Sequence, residues 1–282
     1  MKARMMIGLV LLLVLPGCAS LVVGSVVAPA VENFQQQTDL DLVCEGAPAY
    51  LLMIDSLAAD DPDSERMLLT AARAYGAYAA ALDACGRPER ARRISDRARE
   101  YGAALLTRSG IGRDLQEGAP AGLEEALAAR GSADVPALFW GAFGWTSWLQ
   151  RQGGDPASLA ALVKVEQIML RVLELDPAYA EGGPHLFLGA YYGSRPALLG
   201  GDPEAARRHF EAALDLSRRG MLAVQVAYAE TYARTVFDRA LYENLLGEVL
   251  SFPLASRPEF GLANVIAQKR AAALLREAES YF

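Results

Sequence analysis

The sequence is poor in the residues and motifs that carry most enzyme chemistry. Its only two histidines are His185 and His209, which are well separated in the chain. Neither belongs to a His-Glu-x-x-His zinc pattern, and there is no Gly-x-Ser-x-Gly nucleophile turn or glycine-rich phosphate loop. Gly193-Ser194-Arg195 is more simply explained as the polar end of a helix. We therefore predict a non-enzymatic protein with no catalytic residues, no metal site and no cofactor.

An excess of positive charge is also missing. Lysine and arginine number 27 against 34 aspartates and glutamates, so the net charge is −7. Nucleic-acid binding needs a concentrated basic face, so we predict no nucleic-acid partner. The balance also argues against electrostatic recruitment to anionic lipid. Six arginines lie between Arg87 and Arg99, but acidic residues are interleaved with them, which is typical of a solvated helix face.

Clusters of β-branched residues are scarce beyond the N-terminal region. The chain is 52% hydrophobic, with much alanine and leucine and only 8% aromatic residues. Alanine and leucine have high helix propensity, so this composition predicts an all-α protein.

The N-terminus has the features of a secretory signal. Lys2 and Arg4 precede an apolar run from Met5 to Leu15 that is too short to span a bilayer comfortably. The ending Leu15-Pro16-Gly17-Cys18 resembles the lipobox of bacterial lipoproteins, in which the cysteine becomes the first mature residue and is acylated. In that family a residue such as Ala19 after the cysteine, rather than aspartate, favours sorting to the outer membrane where the cell has one, with the protein facing the periplasm. The alternative is an ordinary signal peptide with a chance cysteine.

Cys44 and Cys85 are the remaining cysteines. In an oxidising periplasm they could form a disulfide. This bond would close a loop of about 42 residues and contribute about 4 kcal/mol in the chain-entropy model. Two buried free thiols are the alternative, and the spacing does not decide between them.

Residues 164–217 carry the clearest structural pattern. The helix that leads into this stretch has Leu159, Leu162 and Val165 on one face and Lys164 on the other, and it ends at Leu175-Asp176-Pro177. Two segments then match the tetratricopeptide (TPR) repeat, in which small residues let two antiparallel helices approach closely. These segments are Leu188-Gly189-x2-Tyr192 and Ala206-x3-Phe210-x2-Ala213.

Helical periodicity continues through most of the chain. We predict ten to twelve helices over residues 39–282, stacked as antiparallel pairs in a degenerate TPR-like α-solenoid. Residues 1–17 would be the signal peptide and residues 18–38 the lipidated N-terminus and tether. A helix break is expected near Gly46 and Pro48, and a soft boundary at residues 110–131. The last three helices are expected at 221–234, 235–250 and 259–282.

All three tryptophans lie in one block, from Trp140 through Trp145 to Trp148, interrupted by glycines. On a helix these side chains cover more than one face. The block is either dense packing between repeats or one wall of an apolar cavity, to which Tyr191 and Tyr192 could also contribute.

Four stretches together resemble the TPR lipoproteins associated with TRAP (tripartite ATP-independent periplasmic) transporters, the T-component or TatT family. The likeness covers nearly the whole mature chain and depends on the order of these stretches behind the lipobox. The four stretches are Asp39-Leu40-x2-Val43-x-Glu45-Gly46-x-Pro48-Ala49, Trp140-Gly141, Leu188-Gly189-Ala190-Tyr191-Tyr192, and the tail from Asp238 through Arg270-Ala271.

The resemblance implies a lipid-anchored accessory of a TRAP-type transporter that faces the periplasm. Such a protein would bind a small hydrophobic ligand, with a carboxylate as one option, dock the periplasmic solute-binding protein and assemble as a homotrimer. The alternative is a lipid-anchored TPR scaffold for assembly in the cell envelope. The expected ligand site has apolar walls and one arginine for a carboxylate. Its candidate residues are Trp140, Phe143, Trp145, Tyr191, Tyr192 and Arg195.

Overall fold

The residues that the structure describes form twelve α-helices and no β-strand, which confirms the predicted all-α class. The computed structural model describes residues 33–118, 122–153, 156–195, 198 and 200–282. The predicted signal peptide and Cys18 lie outside them. The helices are α1 (Leu40–Asp60), α2 (Glu65–Ala84), α3 (Pro88–Arg108), α4 (Arg113–Glu117), α5 (Leu123–Ala128), α6 (Val135–Leu149), α7 (Pro156–Leu175), α8 (Tyr179–Gly193), α9 (Pro203–Leu216), α10 (Ala223–Ala227), α11 (Arg239–Ser251) and α12 (Gly261–Glu277).

Helices that follow each other in the chain pack in pairs, most extensively α2 with α3 and α8 with α9. The second pair contains the TPR-like spacing. A Cβ at Gly189 would lie 2.9 Å from the Phe210 ring, so the glycine is needed for this close approach. Ala206 and Ala213 are fully buried on the facing helix. The paired packing agrees with the prediction, whereas the solenoid arrangement of the pairs stays a prediction.

Helix α6 approaches α3 unusually closely through glycines. A Cβ at Gly102 would lie 2.6 Å from the carbonyl oxygen of Gly141, and a Cβ at Gly144 would overlap the carbonyl oxygen of Ala98. Real Cβ atoms do not occupy such positions without a shift of the backbone. Helix α6 also contacts α2 and α7. The close contact with α3 therefore positions a helix that packs against three others.

Helix α1 runs through the position where a break was expected. Pro48 lies inside the helix, where it cannot donate the hydrogen bond to the carbonyl four residues earlier. That carbonyl belongs to Cys44, and it accepts a hydrogen bond of 3.1 Å from the Tyr78 hydroxyl instead. The prediction of a break was wrong because a tertiary contact replaces the missing bond.

By length and composition alone, α1 is also apolar enough to cross a membrane. It packs into the core through buried residues that include Val43, Leu51 and Ile54. On its other side it exposes Leu42 and Leu52.

Two side chains of α7 differ from the prediction in whether they are buried or exposed. Lys164, predicted on the polar face, is only 5% exposed, and its Nζ donates 2.6 Å hydrogen bonds to the carbonyls of Gln116 and Gly118. Those carbonyls lie at the C-terminal end of α4, where a cation is favourable. Leu159, predicted on the apolar face, is 50% exposed.

The boundaries of the C-terminal helices differ from the expected ranges. Helix α10 is short and continues as a π-helix over Tyr228–Ala233. Phe237 then adopts a left-handed conformation with φ of 55°, which ends the helical run. Asp238 accepts a hydrogen bond of 2.9 Å from the Leu241 amide and so caps α11.

The sulfur atoms of Cys44 and Cys85 form a disulfide between α1 and the C-terminus of α2. This bond would contribute about 4 kcal/mol in the chain-entropy model. We therefore expect Cys44→Ala/Cys85→Ala to lower the free energy of unfolding by about this amount, measured by denaturant titration. A reducing agent should lower the wild-type midpoint and leave that of the variant unchanged. Equal midpoints for the oxidised wild type and the variant would contradict this expectation.

The close approach of α3 and α6 predicts the effect of a single methyl group. Gly144→Ala should lower the free energy of unfolding by about 1–3 kcal/mol because the added Cβ overlaps backbone atoms of α3. Gly247→Ala in α11 is the matched control, since a Cβ there meets nothing within 4 Å. The control should gain up to ~1 kcal/mol from helix propensity. If Gly144→Ala is as stable as this control, the helices are not in tight contact.

Candidate functional site

Five side chains from four helices meet in a group that we term the arginine–aromatic cluster: Tyr50, Arg73, Trp140, Phe143 and Tyr179. The Arg73 guanidinium carbon lies 4.4 Å from the centroid of the Trp140 ring. The Trp140 indole Nε1 donates a hydrogen bond of 3.1 Å to the Tyr179 hydroxyl, and Phe143 packs edge-on to Trp140. The cluster therefore contains two of the six predicted ligand-site residues.

The polar groups of this cluster are incompletely paired. The Arg73 Nε and the Tyr50 hydroxyl are buried, and neither has a hydrogen-bond partner in the described residues. Burial lowers the pKa of Arg73, and burial raises the pKa of Tyr50 to about 12. At neutral pH the Tyr50 hydroxyl is therefore uncharged and cannot neutralise the arginine.

A second group, the tyrosine–histidine cluster, comprises Glu166, His185, Tyr191, Tyr192, Arg195 and His209. Tyr192 donates a hydrogen bond of 2.6 Å to the Glu166 carboxylate and stacks on the His209 ring. The Arg195 guanidinium carbon lies 3.8 Å above the centroid of the Tyr191 ring. Three predicted site residues thus come together here, with Arg195 placed against an aromatic face.

The two histidines of the chain are in contact although they are distant in sequence. Their Nδ1 atoms lie 2.9 Å apart, so one ring donates a hydrogen bond and the other accepts it. Burial lowers the pKa of His209 to about 4, and the charges of His185 and Arg208 act in the same direction. Burial also lowers the pKa of His185.

The six predicted residues divide between these two clusters, apart from Trp145, which belongs to neither. Trp140 and Tyr192 are both partly buried against the same core cluster, in which Trp145 is fully packed. Trp145 is 4% exposed and its indole nitrogen has no partner in the described part of the chain. Tyr191 is 7% exposed. Trp145 and Tyr191 therefore contribute mainly packing, whereas Trp140, Phe143, Tyr192 and Arg195 keep some exposed surface.

Two clefts on the described surface are lined by other residues. The larger, of about 700 Å³, lies among α8, α9 and the linker before α12 and is lined by polar groups that include Glu181, Arg218 and Arg257. Arg257 donates to the Glu181 carboxylate at 2.6 Å and to that of Glu259 at 2.5 Å. Glu181 and Arg218 have left-handed backbones, with φ of 52° and 50°. The smaller cleft, of about 350 Å³, includes Glu230, Arg234 and Tyr281.

Sequence reasoning missed Arg73, the most unusual residue of the arginine–aromatic cluster. One signal was available, because Arg73 is the only charged residue between Met67 and Leu82 in an alanine-rich helix. Tyr50, Tyr179 and Glu166 gave no comparable signal, because each stands in an ordinary amphipathic context.

A family model described as the TRAP transporter T-component matches residues 36–282. The chain belongs to this family. A protein of Treponema pallidum (strain Nichols), named only as an uncharacterized protein, is 25% identical over 265 residues, which cover 88% of this chain and 82% of that protein.

The family match confirms the resemblance drawn from the ordered motifs. As a T component, the protein belongs to the TRAP transporter system of the cell envelope. The family is that of a transporter accessory rather than of an enzyme.

The histidine pair predicts a pH dependence of stability. The unfolded chain protonates these rings below about pH 6.5, whereas His209 in the folded protein resists protonation until about pH 4. The free energy of unfolding should therefore fall as the pH decreases from about 6.5 to 4, because the unfolded state binds more protons. His209→Gln should reduce this fall, as measured by denaturant midpoints at pH 7.5 and pH 5. Carboxylate titration is common to both proteins, so an identical fall in the two would refute the assignment.

Proposed function

We propose that this T component is a lipid-anchored accessory that faces the periplasm, binds a small hydrophobic ligand and docks the solute-binding protein of its transporter. Membership of the TRAP transporter family supports the accessory role. The lipobox-like sequence at Cys18 supports an acyl anchor, with the outer membrane as the expected location. A homotrimer is part of the same proposal.

The observation that carries the ligand-binding part is the incomplete burial of aromatic side chains on α6 and α8. Trp140, Phe143 and Tyr192 are large aromatic groups that keep some exposed surface. Arg73 lies over the Trp140 ring, and Tyr192 donates to the Glu166 carboxylate. Ligand sites combine apolar walls with a few polar groups in this way. Arg195 and the buried Trp145 and Tyr191 would support these walls.

A scaffold that binds peptides is the second candidate. The cleft of about 700 Å³ favours it, because strained backbone and paired charges lie along its open surface. Strained backbone is often found at functional sites. In this case the aromatic residues of α6 and α8 would serve only as packing.

Native mass spectrometry separates these two candidates. The whole protein would be extracted from its own envelope in mild detergent without refolding. A bound small apolar molecule supports the transport accessory, and the mass of the complex gives the oligomeric state. A protein that carries a peptide or an envelope protein instead, and no small molecule, supports the scaffold.

A double variant tests the aromatic residues themselves. Trp140→Ala/Tyr192→Ala should weaken binding of the neutral apolar dye Nile red by at least about tenfold, since each change removes a large apolar surface worth more than ~1 kcal/mol. Dye fluorescence gives the affinity, and circular dichroism verifies the fold. Trp148→Ala is the control, because Trp148 contacts Arg99 outside the proposed set. Equal affinity in a folded double variant would exclude these residues from the site.

A further inference from the structure

Arg73 differs from a neighbouring arginine in the way its charge is neutralised. Arg97 on α3 also lies over an aromatic ring, with its guanidinium carbon 4.9 Å from the centroid of Tyr101. Unlike Arg73, it is neutralised by two carboxylates: Asp55 at 3.3 Å and Glu100 at 2.5 Å. The charge of Arg97 is therefore neutralised within the fold.

Arg73 has no such carboxylate in the described residues. Its electrostatic neighbours are the hydroxyls of Tyr179 and Tyr50, which are neutral at physiological pH. Its contact with Trp140 stabilises the charge but satisfies none of the five N–H donors of the guanidinium. The Nε is buried and unpaired, and so is the nearby Tyr50 hydroxyl. Most buried polar groups in folded proteins have a hydrogen-bond partner, so a ligand that supplies one would account for both groups.

The chemistry of the surrounding surface selects the kind of anion. A planar guanidinium presents two parallel N–H groups that match the two oxygens of a carboxylate. Trp140 supplies apolar surface beside that charge, and Phe143 extends this surface by packing on Trp140. A bare inorganic ion would leave it unused. A ligand with a carboxylate on an aromatic or similarly flat body would contact both the guanidinium and this apolar surface.

We propose that the arginine–aromatic cluster is a binding site for a small aromatic carboxylate, which Arg73 binds through its guanidinium while Trp140 and Phe143 contact the apolar body. This inference rests on the proposed ligand-binding function; it commits the ligand to an aromatic carboxylate and names the residue that receives it. It places that role on Arg73, whose buried Nε has no partner in the described residues, and not on Arg195.

The test is a calorimetric titration of the whole protein with 1-naphthoate, with the uncharged 1-naphthamide for comparison. We expect wild type to bind naphthoate at least tenfold more tightly than the amide. Arg73→Met should remove this difference and retain weak binding of both compounds. Arg66→Met is the matched control, because Arg66 is an exposed arginine on the same helix and its loss changes the net charge equally. The control should keep the tenfold preference.

A stability measurement distinguishes a ligand-binding role of Arg73 from a purely structural one. If Arg73 is retained to bind an anion, Arg73→Met should leave the melting temperature of the ligand-free protein unchanged or higher, because it removes an unneutralised, half-buried charge. Naphthoate should raise the melting temperature of wild type and of Arg66→Met but not of Arg73→Met. A clear fall in the melting temperature of ligand-free Arg73→Met would instead assign the residue to the fold.

The outcomes separate this inference from the proposed function. If both compounds bind wild type equally and Arg73→Met changes neither affinity, the apolar site stands and the role of Arg73 is wrong. If neither compound binds wild type at millimolar concentration, and no small molecule is found by native mass spectrometry, both are wrong. If inorganic sulfate competes as well as naphthoate, the site is not specific for an aromatic carboxylate.

Discussion

The close approach of α3 and α6 is the contact on which the placement of the functional groups depends. It exists because Gly102, Gly141 and Gly144 have no Cβ, so backbone meets backbone across the helix pair. The same helix carries Phe143, whose ring occupies the space that a side chain at position 76 would need. Helix α6 is thereby held against α2 and α3, and Trp140 is brought over Arg73.

The arginines of this protein differ in how their charge is neutralised. Arg97, Arg151 and Arg257 each contact at least one carboxylate. Lys164 is buried but donates to two backbone carbonyls at the end of α4. Arg73 has neither kind of partner in the described residues, and it lies beside aromatic side chains that keep exposed surface. Because burying a charge without a partner costs stability, such a residue is more easily explained by binding than by folding.

The parts of the fold that follow from local sequence patterns were predicted correctly. Predictions were wrong or lacking where contacts between residues distant in the chain determine the structure. The spacing of Gly189 and Phe210 predicted a closely packed helix pair, and the ordered motifs indicated the family. Pro48 indicated a break, but the Tyr78 hydroxyl replaces the lost hydrogen bond from another helix. The contact between His185 and His209 and the partners of Arg73 depend on how α2, α6, α8 and α9 come together, and no local pattern encodes this.

The side-chain N–H of Arg73 offers the most direct measurement, by ¹⁵N–¹H correlation of arginine Nε groups in the whole protein. Arg73→Met assigns the resonance by its disappearance. Addition of 1-naphthoate should move the Arg73 Hε signal downfield, as a charge-assisted hydrogen bond forms, while the Arg97 signal stays in place. An unmoved Arg73 signal at naphthoate concentrations that saturate the protein would show that the carboxylate binds elsewhere, and it would contradict the central claim.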